Sequence, residues 1–185
     1  VRKLAKERGL FFEDEALELF VMLAGTDFSQ IENELEKIDL FLSHDDRTIT
    51  VEHVSNQVAL TRAGVVFELG NSIAKKNLSG ALRIIDHLLY QGENAIGILL
   101  AAVVPTIRRL LIAKDLAKHN GISGGGNYRS YEAALSRLPA SEIAHLPRKK
   151  DGGLSVYPIF LASSESRDFS LVNLRQGLAD CLQAN

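Results

Sequence analysis

An all-α fold is what this sequence predicts, and three observations carry the reading. Apolar residues recur three and four positions apart along most of the chain. Capping residues stand where these stripes begin and glycines where they stop. The apolar–polar alternation of a strand occurs only in the brief Thr48–Val51 fragment.

The elements follow in order. The chain opens at Val1 inside a charged, helical-looking segment. Glu13–Ala24 carries Ala16, Leu17, Phe20, Leu23 and Ala24 on one face, with Glu13, Asp14 and Glu15 at the start and Gly25 as the stop. Asp27 caps a second helix, striped by Phe28, Ile31, Leu35, Ile38 and Leu42, before a polar turn over Ser43–Arg47. Thr50 caps a short third helix that turns Val54 and Val58 inward, with Glu52 and His53 near its start. Gln57–Gly64 has weak periodicity and reads as a linker. Val65–Lys76 and Leu78–Tyr90 follow as helices, the second amphipathic through Leu78, Leu82, Ile85 and Leu89. Asn94–Lys118 reads as one long helix containing Pro105, which predicts a kink or break near Ala101–Val104. Its near-uniformly apolar Ile96–Val104 predicts a deeply buried segment. Gly121–Asn127 is a glycine-rich connection, Tyr128–Leu138 a helix and Pro147–Gly153 a loop. Leu154–Glu165 and Asp168–Gln183 close the chain as helices. No repeat of constant period recurs, so a regular solenoid is not expected.

Composition narrows the classes. With 185 residues, 46% hydrophobic and 24% charged, the chain has ample material for a core and is not a disordered one. A net charge of −2 and a pI near 6.2 argue against a DNA-coating protein. The single cysteine, Cys181, makes neither an internal disulfide nor a thiolate zinc site. The longest nearly apolar run, Ala95–Val104, falls short of the about 20 residues that span a bilayer, so no transmembrane helix is expected. No signal peptide opens the chain, and the start at Val1 reads as a piece cut from a longer protein. Charge is uneven: residues 1–60 sum to −7 and residues 101–150 to +6, which suggests two units.

No catalytic constellation, cofactor site or metal site is expected. Gly121-Ile122-Ser123-Gly124-Gly125-Gly126 lacks the lysine and the preceding strand of a phosphate loop, so it reads as a flexible helix connection. His44, His53, His87, His119 and His145 never stand at metal-ligand spacing and read as surface or capping residues. Ser163 and Ser164 sit in no nucleophile elbow. Glu32, Glu34 and Glu36 read as a solvated helix face rather than a carboxylate site. Arg108, Arg109, Lys114 and Lys118, with Arg148, Lys149 and Lys150 in a loop, are candidates for DNA phosphates or an interface. The plainer reading, that they balance the acidic first unit or keep an interface soluble, is preferred.

A pattern over residues 13–42 carries more information. Ala16, Leu23, Gly25, Asp27-Phe28, Ile31 and the run Glu34-Leu35-Glu36-Lys37-Ile38 are followed by Asp45–Arg47, Ile49-Thr50-Val51-Glu52 and Val54. Further along come Val66-Phe67-Glu68-Leu69, the Ala81-Leu82 helix, Gln91-Gly92-Glu93 and the Pro105–Lys114 run. In this order the residues resemble the delta subunit of the bacterial DNA polymerase III clamp loader, from the start of the chain to about residue 120. Past Gly121 only the helical layout is similar.

The resemblance implies an AAA+-related protein involved in DNA replication. Residues 1–60 would form most of its small helical lid domain, and residues 64–185 its helical collar. The α/β nucleotide-binding-like domain, which in the family grips the sliding clamp, would lie outside this chain. The implied partners are the delta-prime and gamma/tau subunits, the clamp through the missing N-terminal domain, and DNA indirectly. The implied location is cytoplasmic, with no membrane partner. Gly25, Asp27, Glu34, Leu35, Glu36 and Lys37 would be structural motif residues. Catalytic relatives carry a γ-phosphate-sensing arginine shortly after the lid glycine. Gly25-Thr26-Asp27-Phe28-Ser29-Gln30 has none, which fits a non-hydrolysing subunit of the DNA polymerase III holoenzyme better than its ATPase relatives. The fragment itself would be non-catalytic. A stand-alone helical adaptor or regulatory interaction domain is the alternative, since amphipathic helices serve either.

Overall fold

A computed structural model describes residues 1–43, 45–149 and 151–184; His44 and Lys150 lie outside the described residues. The fold is all-α and divides into two compact units, Val1–Phe67 and Glu68–Asn185.

In the first unit, α1 (Arg2–Glu7) leads into a two-residue strand β1 (Phe11–Phe12). Helices α2 (Asp14–Ala24) and α3 (Phe28–Phe41) follow, then β2 (Thr48–Ile49) and α4 (Val51–Gln57). The strands pair in parallel, Phe11 with Thr48 and Phe12 with Ile49. A partner of two residues is too short to show a period, so only the Thr48 side was legible. Arg47 locks this crossing: its guanidinium pairs with Asp39 of α3 and donates to the Arg8 carbonyl at 3.1 Å. Ala16, Leu19, Phe20 and Leu23 of α2 form the core with Ile31, Leu35 and Ile38 of α3, Ile49 and Val54. Phe28, expected on the α3 stripe, lies at the first helical position and is exposed.

Gln57–Gly64 is not a free linker. It comprises the end of α4, a short tied stretch and the first turn of α5 (Arg62–Ala74). Thr61 N–H and Oγ1 both donate to the Leu23 carbonyl, at 3.2 and 2.7 Å, and Thr61 Oγ1 caps the Gly64 amide. These backbone bonds leave no periodic trace in the sequence.

The second unit is built around one long helix. After α6 (Leu78–Tyr90), helix α7 (Ala95–Ile98) passes through a π-helical turn at Leu99–Val103 into α8 (Val104–Asn120). The irregularity falls where Pro105 predicts it, but as one widened turn rather than a break. The proline ring would otherwise meet the Ala101 carbonyl and leave it without a donor. Thr106, Ile107, Leu110, Ala113 and Leu116 of α8 are buried, and α8 packs chiefly against α11 (Tyr157–Glu165) and α12 (Leu171–Gln183). Helices α9 (Tyr128–Ser136) and α10 (Ala140–Ile143) lie between α8 and α11 in sequence. Asn77, Asn94, Asn127 and Ser170 each accept the backbone amide three residues on, capping α6, α7, α9 and α12.

Three expectations are corrected in this unit. Ile96–Val104 is not deeply buried: Ile98 and Ala102 are, whereas Leu100 is 54% exposed and Ile96 is exposed beside it. One helix does have the length and composition to cross a membrane. Ala95–Asn120 runs 26 residues with a window of mean hydropathy 2.0, because the π turn lets the helix continue past Pro105. Core helices share that length and composition, and the C-terminal half of this one packs on α11 and α12. The glycine-rich stretch is not loose. A Cβ at Gly124 would overlap Ser163 Oγ of α11 and stand 3.2 Å from the Ser164 nitrogen. Pro147–Gly153 also closes on itself, with Arg148 bridging Leu154 and the Lys149 amide donating to the Gly153 carbonyl at 2.7 Å.

Aromatic rings fill the α9–α11 contact: Tyr128 and Tyr131 each meet Phe160 edge-on, with centroids 5.6 and 5.5 Å apart. Burial pushes the Tyr131 phenol up to about 12; Ser163 tempers the rise, although its own hydroxyl donates to the Phe160 carbonyl.

Two predictions follow from this packing. Gly124→Ala should lower stability by about 1–3 kcal/mol through overpacking. Gly126→Ala, whose Cβ would stand 4.0 Å from Ser130, should change it by under about 0.5 kcal/mol; urea midpoints separate the two. Between pH 10 and about 12 the folded Tyr131 keeps a proton that the unfolded chain has lost, so its contribution is full below pH 10 and falls as pH rises. Alkaline denaturation of Tyr131→Phe should therefore be shallower than that of the parent over this window.

Candidate functional site

The motif residues gather at the α2–α3 corner. Gly25 ends α2 with φ 78°, a conformation that a side chain resists, and Asp27 caps α3 by accepting the Gln30 amide at 2.9 Å. Glu34, expected on a solvated face, is 2% exposed. Its carboxylate accepts from Gln30 Nε2 (2.9 Å) and the Ala59 amide (3.0 Å) and pairs with Lys37 Nζ (2.5 Å). The charge is tolerated because three donors replace its water. Through Ala59 it also ties down the stretch entering α5. Leu35 is fully buried, whereas Glu36 and Lys37 are exposed. The motif thus alternates core, anchor and solvent positions.

Gly25, Asp27 and Gln30 also border an open cleft with Thr61 and Arg62. Arg62 comes from the start of α5, so an arginine does line the same cleft as the glycine, although the linear motif lacks one. Only the tied 58–61 stretch brings it there, and no spacing rule announces it.

In the second unit the predicted basic residues have separate environments. Lys114 Nζ donates to the Ser166 carbonyl at 2.9 Å and so holds the chain between α11 and α12. Arg108 is exposed. Arg109 is half-buried, and burial lowers its pKa below the ordinary guanidinium value. Its Nη2 donates to Thr106 Oγ1 at 2.8 Å, and among the described residues no carboxylate pairs with it. Gly70 of α5 makes room for it: a Cβ there would stand 2.6 Å from Thr106 Oγ1 and 3.1 Å from Arg109 Nη2. Both arginines line a cleft of about 460 Å³ whose walls include Leu100, Val104, Ile112 and Pro158.

A third feature is the α6 stripe. Its buried residues are Gly80, Ala81 and Leu88, whereas Leu78, Leu82 and Leu89 are exposed and Tyr90 is 92% exposed. The amphipathic pattern located the apolar face but not what covers it. Among the described residues no group of three or more His, Cys, Asp or Glu is gathered as a metal centre. His53 completes the α4 cap, with Nδ1 accepting the Thr50 amide.

No protein-family model matches the chain, and no curated protein does either. Among solved structures, the DNA clamp loader delta protein of Bacillus subtilis is similar over 95% of this chain, at 26% identity and a TM-score of 0.51. The chain spans 44% of the length of that protein. The fold is therefore clamp-loader-like.

Removing the anchoring carboxylate should be felt locally. Glu34→Ala should cost about 2 kcal/mol, the scale of hydrogen bonds to a charged group. Glu36→Ala on the exposed face should cost under about 0.5 kcal/mol. Urea titrations followed by circular dichroism would compare them.

Proposed function

We propose that this chain is the lid and collar part of a delta-type clamp-loader subunit serving DNA replication in the cytoplasm. Its role there is assembly rather than catalysis. The observation that carries the reading is the likeness to the Bacillus subtilis clamp loader delta protein along nearly the whole chain. The order of motif residues from Gly25 through Lys37 to Lys114 supports it. In this reading residues 1–60 belong to the lid and residues 64–185 to the collar. The collar packs against those of the delta-prime and gamma/tau subunits of the DNA polymerase III holoenzyme, while the sliding clamp is engaged by a domain outside this chain.

The exposed apolar faces fit such a role. Leu78, Leu82, Leu89 and Tyr90 on α6, with Ile96 and Leu100 beyond, offer apolar area of the kind that interface cores bury. Arg108 and Arg109 stand beside an apolar cleft and Lys114 is spent on Ser166, so DNA contact through these three is not part of the proposal.

Native mass spectrometry of the full-length chain with clamp-loader partners from the same organism tests the reading. A heteropentamer containing one copy of this chain is expected. The double variant Leu82→Asp, Leu89→Asp should remain a folded monomer and fail to join it, since both side chains are exposed here. A folded parent chain that never assembles would move the weight to a stand-alone adaptor.

A further inference from the structure

We propose that the cleft beside α8 is a docking site for a partner peptide in which a carboxylate adjoins an apolar side chain. The inference rests on the cleft and not on the clamp-loader reading. A half-buried cation without a counter-charge is costly, and among the described residues Arg109 is one: Thr106 uses a single donor of a guanidinium that has five. Its charge sits at the edge of a mainly apolar cavity, with exposed Arg108 and His145 also lining it. A volume of about 460 Å³ falls in the range of specific ligand sites, about 300–1,000 Å³.

The chemistry selects the occupant. A planar guanidinium pairs bidentately with a carboxylate, while Leu100, Val104, Ile112 and Pro158 give an apolar side chain a place to be buried. Nucleic acid fits less well. Phosphate tracking calls for a row of exposed cations, whereas here Arg109 is recessed and Lys114 is committed to Ser166. Gly70 adds an independent indication of a fixed geometry, because any side chain there would displace the Thr106–Arg109 pair.

A random peptide library displayed on phage, panned against the 185-residue chain, tests this. Enriched sequences should place Asp or Glu next to Leu, Ile or Phe. A fluorescein-labelled peptide from that set should bind saturably in anisotropy, and changing its acid to the amide should weaken binding about tenfold or more. Arg109→Gln should weaken it similarly. Leu100→Glu is the second variant: its side chain is exposed, so the fold is spared, and its charge at the cleft should repel the peptide by a comparable factor. Enrichment without acids, no enrichment, or binding that Leu100→Glu leaves unchanged would overturn the proposal. So would displacement of the peptide by oligothymidylate, which would make the cleft a nucleic-acid site.

Discussion

A proline inside a helix that must remain continuous is the constraint on which the second unit depends. The buried positions Ile98, Ala102, Thr106 and Leu110 recur every four residues. In a straight α-helix that spacing drifts by about 40° per step. The π turn at Leu99–Val103 is wider than an α turn. It relieves the clash at Pro105 and absorbs part of the drift, so residues before and after the proline address one core. The α11 and α12 contacts depend on that continuity. The same geometry leaves Leu100 on the outside, at the cleft that Arg108 and Arg109 border.

The first unit depends on a different device. A carboxylate buried among three donors holds α3 to the chain that leads into α5. Thr61 fastens the same stretch to the end of α2 through the Leu23 carbonyl. Polar anchors of this kind specify a connection more sharply than apolar packing does, because an unmet partner costs more than a poor contact. Glu34 in the motif is thus explained by what it holds, and the clamp-loader-like fold has a local physical cause at this corner.

The surface shows what the core does not consume. Apolar side chains on α6 and along the π turn are arranged as regularly as core residues, yet they face outward. Arg109 is likewise partly withdrawn from water, with no acid paired to it among the described residues. Regular apolar faces and recessed charges are what protein interfaces bury, so both features fit a chain whose surface is completed by partners.

Helix class, most helix starts and the site of the α8 irregularity were legible from sequence alone. Local chemistry determines them: stripes of period 3.6, Asp27 and Thr50 as caps, and the missing amide of Pro105. The motif residues at the α2–α3 corner were legible as a pattern, but not the burial of Glu34, because a glutamate reads as solvated until its donors arrive from residue 59. Tertiary structure alone decided the Phe11–Thr48 pairing, the packing of Gly124 on Ser163, the cleft that Gly25 and Arg62 share and, among the described residues, the lack of an acid paired with Arg109. Each joins residues far apart in the chain, or depends on what is absent nearby, and neither leaves a period or a cap in the sequence. Local rules determined the helices; only the meeting of distant segments decided which of their faces were covered.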